Sequence, residues 1–135
     1  MIRYLADTNI IGYFARSTNI ALQRKMTKAM LKQEIAISVI TYAETRYGLA
    51  LLNADDKRRG AINLLLQAFP VLPWTVSAAN EYGDVAADLH QRGKAIGEMD
   101  TQIAAHALAE NLILVSHNTK HFERVQRLKL EDWMG

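Results

Sequence analysis

Residues 2–9 have the sequence IRYLADTN, in which a short apolar run gives way abruptly to three polar residues. Residues 2–6 are typical of a short buried strand, which Asp7, Thr8 and Asn9 bring to an end. Residues 8–14 can then form a helix, with Asp7 or Thr8 as its N-cap. This stretch therefore predicts a strand that leads directly into a helix, with an acidic residue at the junction.

The rest of the chain continues this alternation of apolar runs and helical periodicity. Further strands are predicted at residues 35–39, 71–72, 112–115 and 128–130. Helices are predicted at residues 20–31, 41–52, 57–69, 75–91 and 98–109, with a helical turn at 122–125. Alternating strands and helices favour a parallel sheet that helices cover on both faces. The predicted fold class is therefore α/β, in a single domain over residues 1–135.

The composition is that of an ordinary globular chain. Hydrophobic residues make up 50% of the 135 residues and charged residues 22%, which is enough to bury a core without staples. The chain has no cysteine, which excludes disulfides and thiolate catalysis. No apolar run approaches the roughly 20 residues of a membrane-spanning helix and no secretory signal is visible, so we expect a cytoplasmic protein. The net charge of +2 permits nucleic-acid binding without arguing for it.

Two polar residues lie at or just past the ends of predicted strands. In open parallel sheets, ligands bind at the carboxyl ends of the strands. Asp7 occupies such a position after the first strand, and Asn118 lies just past the strand at residues 112–115. An N-cap is an equally common role for an aspartate at this point, so position alone leaves both interpretations of Asp7 open.

Two further acids lie on helix faces that we expect to point inward. Glu44 is one turn from Tyr47 and two turns from Leu51, and Asp100 shares a face with Ile103. A carboxylate in such surroundings is costly unless it is paired or binds a cation. The alternatives are a Glu44 that reaches solvent and an Asp100 that only complements the positive end of its helix dipole.

Together these acids suggest a shared acidic pocket. Closely packed carboxylates cannot all remain ionised without a counter-charge. A hard divalent cation such as Mg²⁺ or Mn²⁺ prefers oxygen ligands and commonly engages phosphate. The chemistry that this combination favours is metal-assisted hydrolysis of a phosphodiester.

The same residues belong to four segments that resemble, in order, the motifs of the VapC-type PIN-domain ribonuclease toxins of VapBC toxin–antitoxin pairs. The segments are YLADTN at residues 4–9, SVITYAE at 38–44 with Tyr47 and Gly48, residues 93–107 around Asp100, and VSHNTKHF at 115–122 with LEDW at 130–133. They cover nearly the whole chain.

The resemblance implies a PIN-domain-like, three-layer α/β/α fold with a short, mostly parallel sheet. It also implies dependence on Mg²⁺ or Mn²⁺ and cleavage of single-stranded regions of structured RNA, leaving 5′-phosphate and 3′-hydroxyl ends. Transfer RNA, and the initiator form in particular, is the expected substrate. The implied partner is a VapB-type antitoxin that blocks the groove, within a toxin homodimer and a larger hetero-oligomer, with no membrane association.

Carried over by position, the resemblance assigns roles to seven residues. Asp7, Glu44 and Asp100 would be the metal-site acids. Asn118 falls where many family members have a fourth acid; an amide there contributes no charge, so the second metal position stays open. The residues that would orient the acids or a water are Thr8, Asn9 and Ser116, the last standing where threonine is more usual.

The remaining polar residues have plainer interpretations. His106 lies in an alanine-rich helix and is expected to be a packed or hydrogen-bonded core residue. His117 and His121 are interpreted as residues of a solvated loop near the site. The basic residues of the second helix are interpreted as its solvated face rather than as an RNA contact: Arg24, Lys25, Lys28 and Lys32.

Two other classes of function stay open. One is a catalytically silent module that binds RNA or a partner, since the fourth acid is missing. The other is a phospho-accepting signalling domain, which also gathers acids at strand ends. That class fits poorly because the mid-chain acid, Glu44, lies within a helix rather than after a strand.

Overall fold

The computed structural model describes residues 1–16 and 18–135, and within them five strands alternate with seven helices. The strands are β1 (Tyr4–Ala6), β2 (Ile35–Ser38), β3 (Val71–Leu72), β4 (Ile113–Val115) and β5 (Leu130–Glu131). The helices are α1 (Thr8–Arg16), α2 (Ile20–Leu31), α3 (Val39–Leu51), α4 (Arg58–Ala68), α5 (Val76–Gln91), α6 (Glu98–Ala109) and α7 (Thr119–Phe122). The predicted elements are all present, and α7 begins three residues earlier than the predicted turn.

The strands form one sheet in the order β3-β2-β1-β4-β5, and every pair is parallel. The predicted α/β class is therefore confirmed, and the sheet is wholly parallel within the described residues. Successive crossovers build the sheet outward from β1 in both directions, so β1 lies between β2 and β4. The strand order reverses at β1, which is where open α/β sheets place their ligand sites.

The register aligns the ends of the three central strands. Ala6 pairs with Ile37 on one side and with Val115 on the other. In a parallel sheet, the residues that follow paired positions lie side by side at the carboxyl edge. Three polar residues that are almost fully buried occupy this row: Asp7, Ser38 and Ser116.

Two apolar clusters lie on opposite faces of the sheet and give the fold its three layers. Successive residues of a strand point to opposite faces, so Leu5 joins one cluster and Ala6 the other. The cluster around Ala6 includes Leu22 and Met26 of α2. The cluster around Leu5 is formed mainly by buried side chains of α5, α6 and α7. Among the described residues, no helix is both long and apolar enough to cross a membrane.

Strand-end side chains start two of the helices beside this row. The Asp7 Oδ1 accepts a hydrogen bond of 2.8 Å from the Ile10 amide in α1. The Ser38 Oγ accepts one of 3.0 Å from the Ile40 amide in α3. Both residues therefore act as N-caps, which satisfy amides that have no partner within the helix. As N-caps they also fix the direction in which α1 and α3 leave the sheet.

Candidate active site at the carboxyl edge of the sheet

Asp7 is the buried centre of the site. The residue is only 3% exposed, although its side chain is a carboxylic acid. The Oδ2 atom accepts a 2.6 Å hydrogen bond from the Ser116 hydroxyl, whose oxygen accepts another of 2.9 Å from the Asn118 amide. With the Ile10 amide on Oδ1, both carboxylate oxygens are held in place. The two interpretations that the sequence left open, N-cap and site residue, are therefore compatible at this position.

Burial raises the pKa of Asp7 from 3.8 to about 6. The hydrogen bonds from Ser116 and Ile10 favour the ionised form and act in the opposite direction, while the negative charges of Asp100 and Glu44 raise the pKa further. Glu44 and Asp100 are thus both close enough to raise the pKa of Asp7.

Glu44 reaches the site from α3 and is held by α1. The Thr8 hydroxyl donates a 2.7 Å hydrogen bond to the Glu44 Oε1. The Thr41 hydroxyl lies 3.2 Å from the Thr8 Oγ1, and because the single Thr8 proton goes to Glu44, Thr41 is the donor of that pair. Thr41 is itself fully buried. The first two turns of α3 are therefore tied to the start of α1 by hydroxyl groups.

The prediction that Tyr47 and Leu51 lie on an inward face of α3 is wrong, although Glu44 does lie in the site. Tyr47 is 68% exposed and Leu51 is 67% exposed, so the stripe that contains them faces solvent. The buried face of α3 is formed instead by Thr41 and Leu49. Glu44 is half-buried because it lies at the border of this face, against α1.

Asp100 lies in the first turn of α6 and contacts residues that follow β4. Its Oδ2 is 3.4 Å from the His121 Nδ1, and that nitrogen is 2.9 Å from the Asn118 amide Nδ2. Asn118 therefore lies at the site, as its place after a strand predicts, and connects Ser116 to His121. His121 is a site residue that the sequence interpretation placed in a solvated loop. The available signal was its spacing, three residues after Asn118 in a helical turn.

Two nearby residues do not join this arrangement. Asn9 was expected to orient the acids, but it is exposed and its side chain makes no hydrogen bond to them. His117 pairs with Asp132 rather than with Asp7, Glu44 or Asp100, and 2.9 Å separates the His117 Nδ1 from the Asp132 Oδ2. Its ring also packs edge-on against Tyr13 at 5.8 Å between centroids.

A groove between α1, α3 and α4 opens beside Glu44. Its lining is mainly apolar, and Thr8 and Glu44 close it on the side of the acids. The apolar part is formed by Ile11, Ala15, Leu49, Leu52, Ala61 and Ile62.

The donor set suits a hard divalent cation. It consists of carboxylates, and burial makes the ionised form of Asp7 costly. Within residues 1–16 and 18–135, no three acid or histidine side chains are already arranged to chelate an ion together. Mg²⁺ does not require such a cage, because it commonly binds through one or two carboxylates and keeps several waters. The residues present therefore fit Mg²⁺ or Mn²⁺.

Comparisons with known proteins agree with this geometry. The chain matches the PIN domain family over residues 4–128. Ribonuclease VapC2 of Haemophilus influenzae is 35% identical over 99% of this chain and 100% of that protein. The tRNA(fMet)-specific endonuclease VapC of Shigella flexneri is 29% identical over 98% of this chain and 99% of that protein.

A solved structure extends the likeness to three dimensions. The crystal structure of VapBC2 from Rickettsia felis, bound to a DNA fragment from its promoter, contains a chain that superposes with a TM-score of 0.88. That chain is 32% identical, and the match covers 98% of this protein and 99% of that one. The family match sets aside the signalling-domain alternative. The chain belongs to the PIN-domain family and, within it, to the VapC ribonucleases.

Proposed function

We propose that this protein is a Mg²⁺-dependent endoribonuclease toxin that cleaves transfer RNA and is held inactive by a VapB-type antitoxin. The observation that carries the metal dependence is the buried carboxylate of Asp7, whose pKa is raised to about 6 beside Glu44 and Asp100. Such a group is costly to ionise without a cation, and a divalent ion offsets that cost.

The residues of the site divide the work between holding and placing the acids. Ser116 and the Ile10 amide fix both oxygens of Asp7, and Thr8 fixes Glu44. Together with Asp100, these groups would hold the cation and orient the scissile phosphate toward a water. Mn²⁺ would serve the same purpose. When bound, the cation would polarise the phosphate and lower the pKa of the attacking water.

Transfer RNA is the substrate that we propose on the basis of similarity. The relative from Shigella flexneri is named for cleavage of tRNA(fMet), and the match spans nearly the full length of both chains. Cleavage within initiator transfer RNA would stop translation at its first step. The products would carry 5′-phosphate and 3′-hydroxyl ends, because water would attack the phosphorus, the bond from phosphorus to the 3′-oxygen would break, and that oxygen would leave and take up a proton.

The proposed antitoxin partner is supported by the VapBC complexes among similar structures. The apolar groove beside Glu44 provides a surface on which an apolar segment of such a partner could pack, next to the acids that it must block. We further propose a toxin homodimer within a larger complex with the antitoxin, in the cytoplasm where its RNA substrate is found.

The test uses the purified chain, freed of antitoxin, with total transfer RNA in Mg²⁺ or in EDTA. We expect cleavage in Mg²⁺ and none in EDTA. Asp100→Asn should abolish cleavage, whereas Glu98→Gln, which changes an exposed acid two residues away on the same helix, should cleave normally. Equal cleavage in EDTA, or by Asp100→Asn, would contradict the metal mechanism. Cleavage of messenger or ribosomal RNA but not transfer RNA would contradict only the substrate.

A further inference from the structure

A second buried polar pair lies beside the acids without contacting them. The Ser38 Oγ at the end of β2 is 2.8 Å from the His106 Nδ1 in α6, and both residues are fully buried. The two are 68 positions apart in the chain. On its other side the His106 ring packs edge-on against Trp74, with 5.4 Å between ring centroids. No step of the proposed reaction uses either side chain.

The surrounding groups indicate which partner donates. The Ser38 oxygen already accepts the Ile40 amide, so its own hydroxyl proton is available for the His106 Nδ1. The His106 Nε2 has no hydrogen-bond partner among the described residues, although the Pro73 carbonyl favours the protonated ring. The consistent arrangement is a neutral His106 with its proton on Nε2, which accepts from Ser38 at Nδ1.

This hydrogen bond joins the two helices that carry site acids. Ser38 is the N-cap of α3, and Glu44 lies six residues after it. His106 is in α6, and Asp100 lies six residues before it. Among residues 1–16 and 18–135, it is the one side-chain hydrogen bond between the β2–α3 segment and α6. The start of α3 is thus anchored to α6 by Ser38 and to α1 by Thr41 and Thr8.

We propose that Ser38 and His106 are positioning residues of the ribonuclease site, which set the distance between Glu44 and Asp100. The proposal rests on the proposed function, because it assumes that both acids act together. Apart from the loss of the Ser38 cap, an apolar pair would fill the same space at little cost in stability, since replacing both partners of a buried hydrogen bond is often nearly neutral. A directional bond instead fixes one relative placement of α3 and α6, and small misplacements of reacting groups are expensive in rate.

The variants separate the hydrogen bond from helix capping and from packing. Ser38→Ala removes the donor and the cap together. His106→Leu removes the acceptor and keeps the bulk, whereas His106→Asn keeps an acceptor on the atom that follows Cγ, as in histidine. Thr75→Ala is the matched control, because the Thr75 hydroxyl caps α5 through the Ala78 amide and α5 carries no site acid.

The experiment measures kcat, KM and the melting temperature for each variant, on whichever RNA the wild-type protein cleaves in Mg²⁺. We expect Ser38→Ala and His106→Leu each to lower kcat about tenfold or more, with little change in KM, because misplacement acts on the reacting groups. The double variant should be no slower than the slower single variant, since the two residues act through one bond. His106→Asn should keep most of the wild-type kcat. Thr75→Ala should lower only the melting temperature.

Three results would overturn the inference. One is an unchanged kcat in His106→Leu, and another is an effect of Ser38→Ala that matches Thr75→Ala, with a lower melting temperature alone. The third is rate losses that multiply in the double variant. If Ser38→Ala does not fold, the comparison of His106→Leu with His106→Asn still decides. A wild-type protein that cleaves RNA equally in EDTA contradicts the proposed metal mechanism and leaves this comparison intact.

Discussion

Two buried pairs, which we call serine centres, flank β1 at the carboxyl edge of the sheet: Ser38 with His106, and Ser116 with Asp7. Their hydrogen bonding is alike. Ser38 follows the last β2 residue that pairs with β1, and Ser116 follows the last β4 residue that pairs with β1. Each buried hydroxyl accepts a backbone amide two residues on and contacts a buried titratable group, at 2.8 Å for His106 and 2.6 Å for Asp7. One element of local geometry therefore serves two different centres.

The centres differ in what lies beyond the titratable group. Asp7 lies near the carboxylates of Glu44 and Asp100, whereas the ring of His106 packs edge-on against Trp74. Burial raises the pKa of Asp7 and lowers the pKa of His106, so it favours the neutral form in both cases. The neutral form of His106 leaves Nδ1 free to accept the hydrogen bond from Ser38. At Asp7 the neutral form would oppose the proposed function, because a divalent cation binds the carboxylate. Burial thus favours the form of His106 that its hydrogen bond needs, and it opposes the form of Asp7 that the proposed site needs.

The largest expected effect comes from removing the charge at Asp7. Like Asp100→Asn, Asp7→Asn should abolish cleavage, a loss of roughly a thousandfold or more, because the proposed cation that stabilises developing charge loses a carboxylate ligand. It should also stabilise the metal-free protein at pH 8 by up to about 3 kcal/mol, because two pKa units of unfavourable ionisation disappear. Kinetics and thermal melting without metal provide the two measurements.

The sign of that stability gain depends on pH. The pKa of Asp7 is raised, so the wild-type protein bears no ionisation cost below the ordinary value of 3.8, and the cost grows as the pH rises through about 6. The advantage of Asp7→Asn should therefore vanish at pH 4. A constant advantage at both pH values would mean that packing, rather than charge, distinguishes the two side chains.

The next prediction concerns Ser116, whose hydroxyl donates a hydrogen bond to Asp7. Ser116→Ala should lower activity about 10- to 100-fold, the usual loss when a residue that supports a metal ligand is removed. The Ser116 hydroxyl lowers the pKa of Asp7, so its removal should move the acid limb of the pH–rate profile to higher pH. Ser116→Thr keeps the hydroxyl and should leave the profile in place. An unshifted profile in Ser116→Ala would show that the hydroxyl does not tune Asp7.

A smaller effect is expected at the link between α1 and α3. Thr8→Val removes the hydrogen bond to Glu44 at nearly constant volume and should lower kcat about tenfold through misplacement of that carboxylate. Thr27→Val, at an exposed position of α2, is the control and should be neutral. Equal rates for the two variants would indicate that Glu44 does not need Thr8.

The smallest expected effect is the contribution of His106 to the pH dependence of stability. Burial lowers the pKa of His106, against opposing effects of Glu110 and the Pro73 carbonyl. Its contribution to stability is therefore complete above the unfolded value of 6.5 and is lost as the pH falls, by no more than about 1.4 kcal/mol per pH unit. Denaturant unfolding between pH 5 and 8 should show a shallower acid loss in His106→Leu. Parallel curves for the two proteins would remove His106 from the explanation.

Local sequence patterns predict the order of the elements, the class of fold and the place of Asp7 at the end of the first strand. Residues 2–9 predicted a strand that runs into a helix at an acid, and Asp7 is both the N-cap of α1 and the centre of the site. Local rules suffice there because strand length, capping and polar termination all depend on neighbouring residues. The resemblance to the family motifs predicted that Glu44 and Asp100 belong to the same site as Asp7.

Which helix faces are buried, and which distant side chains meet, depends on how the elements pack together. Periodicity placed Tyr47 on the inner face of α3, but it is exposed, because the packing of α1 and α4 selects a different face. His121 reaches Asp100 and Ser38 reaches His106 across 21 and 68 residues of chain. Local patterns cannot encode such contacts, since they depend on the sheet order that brings β2, β4 and α6 around β1.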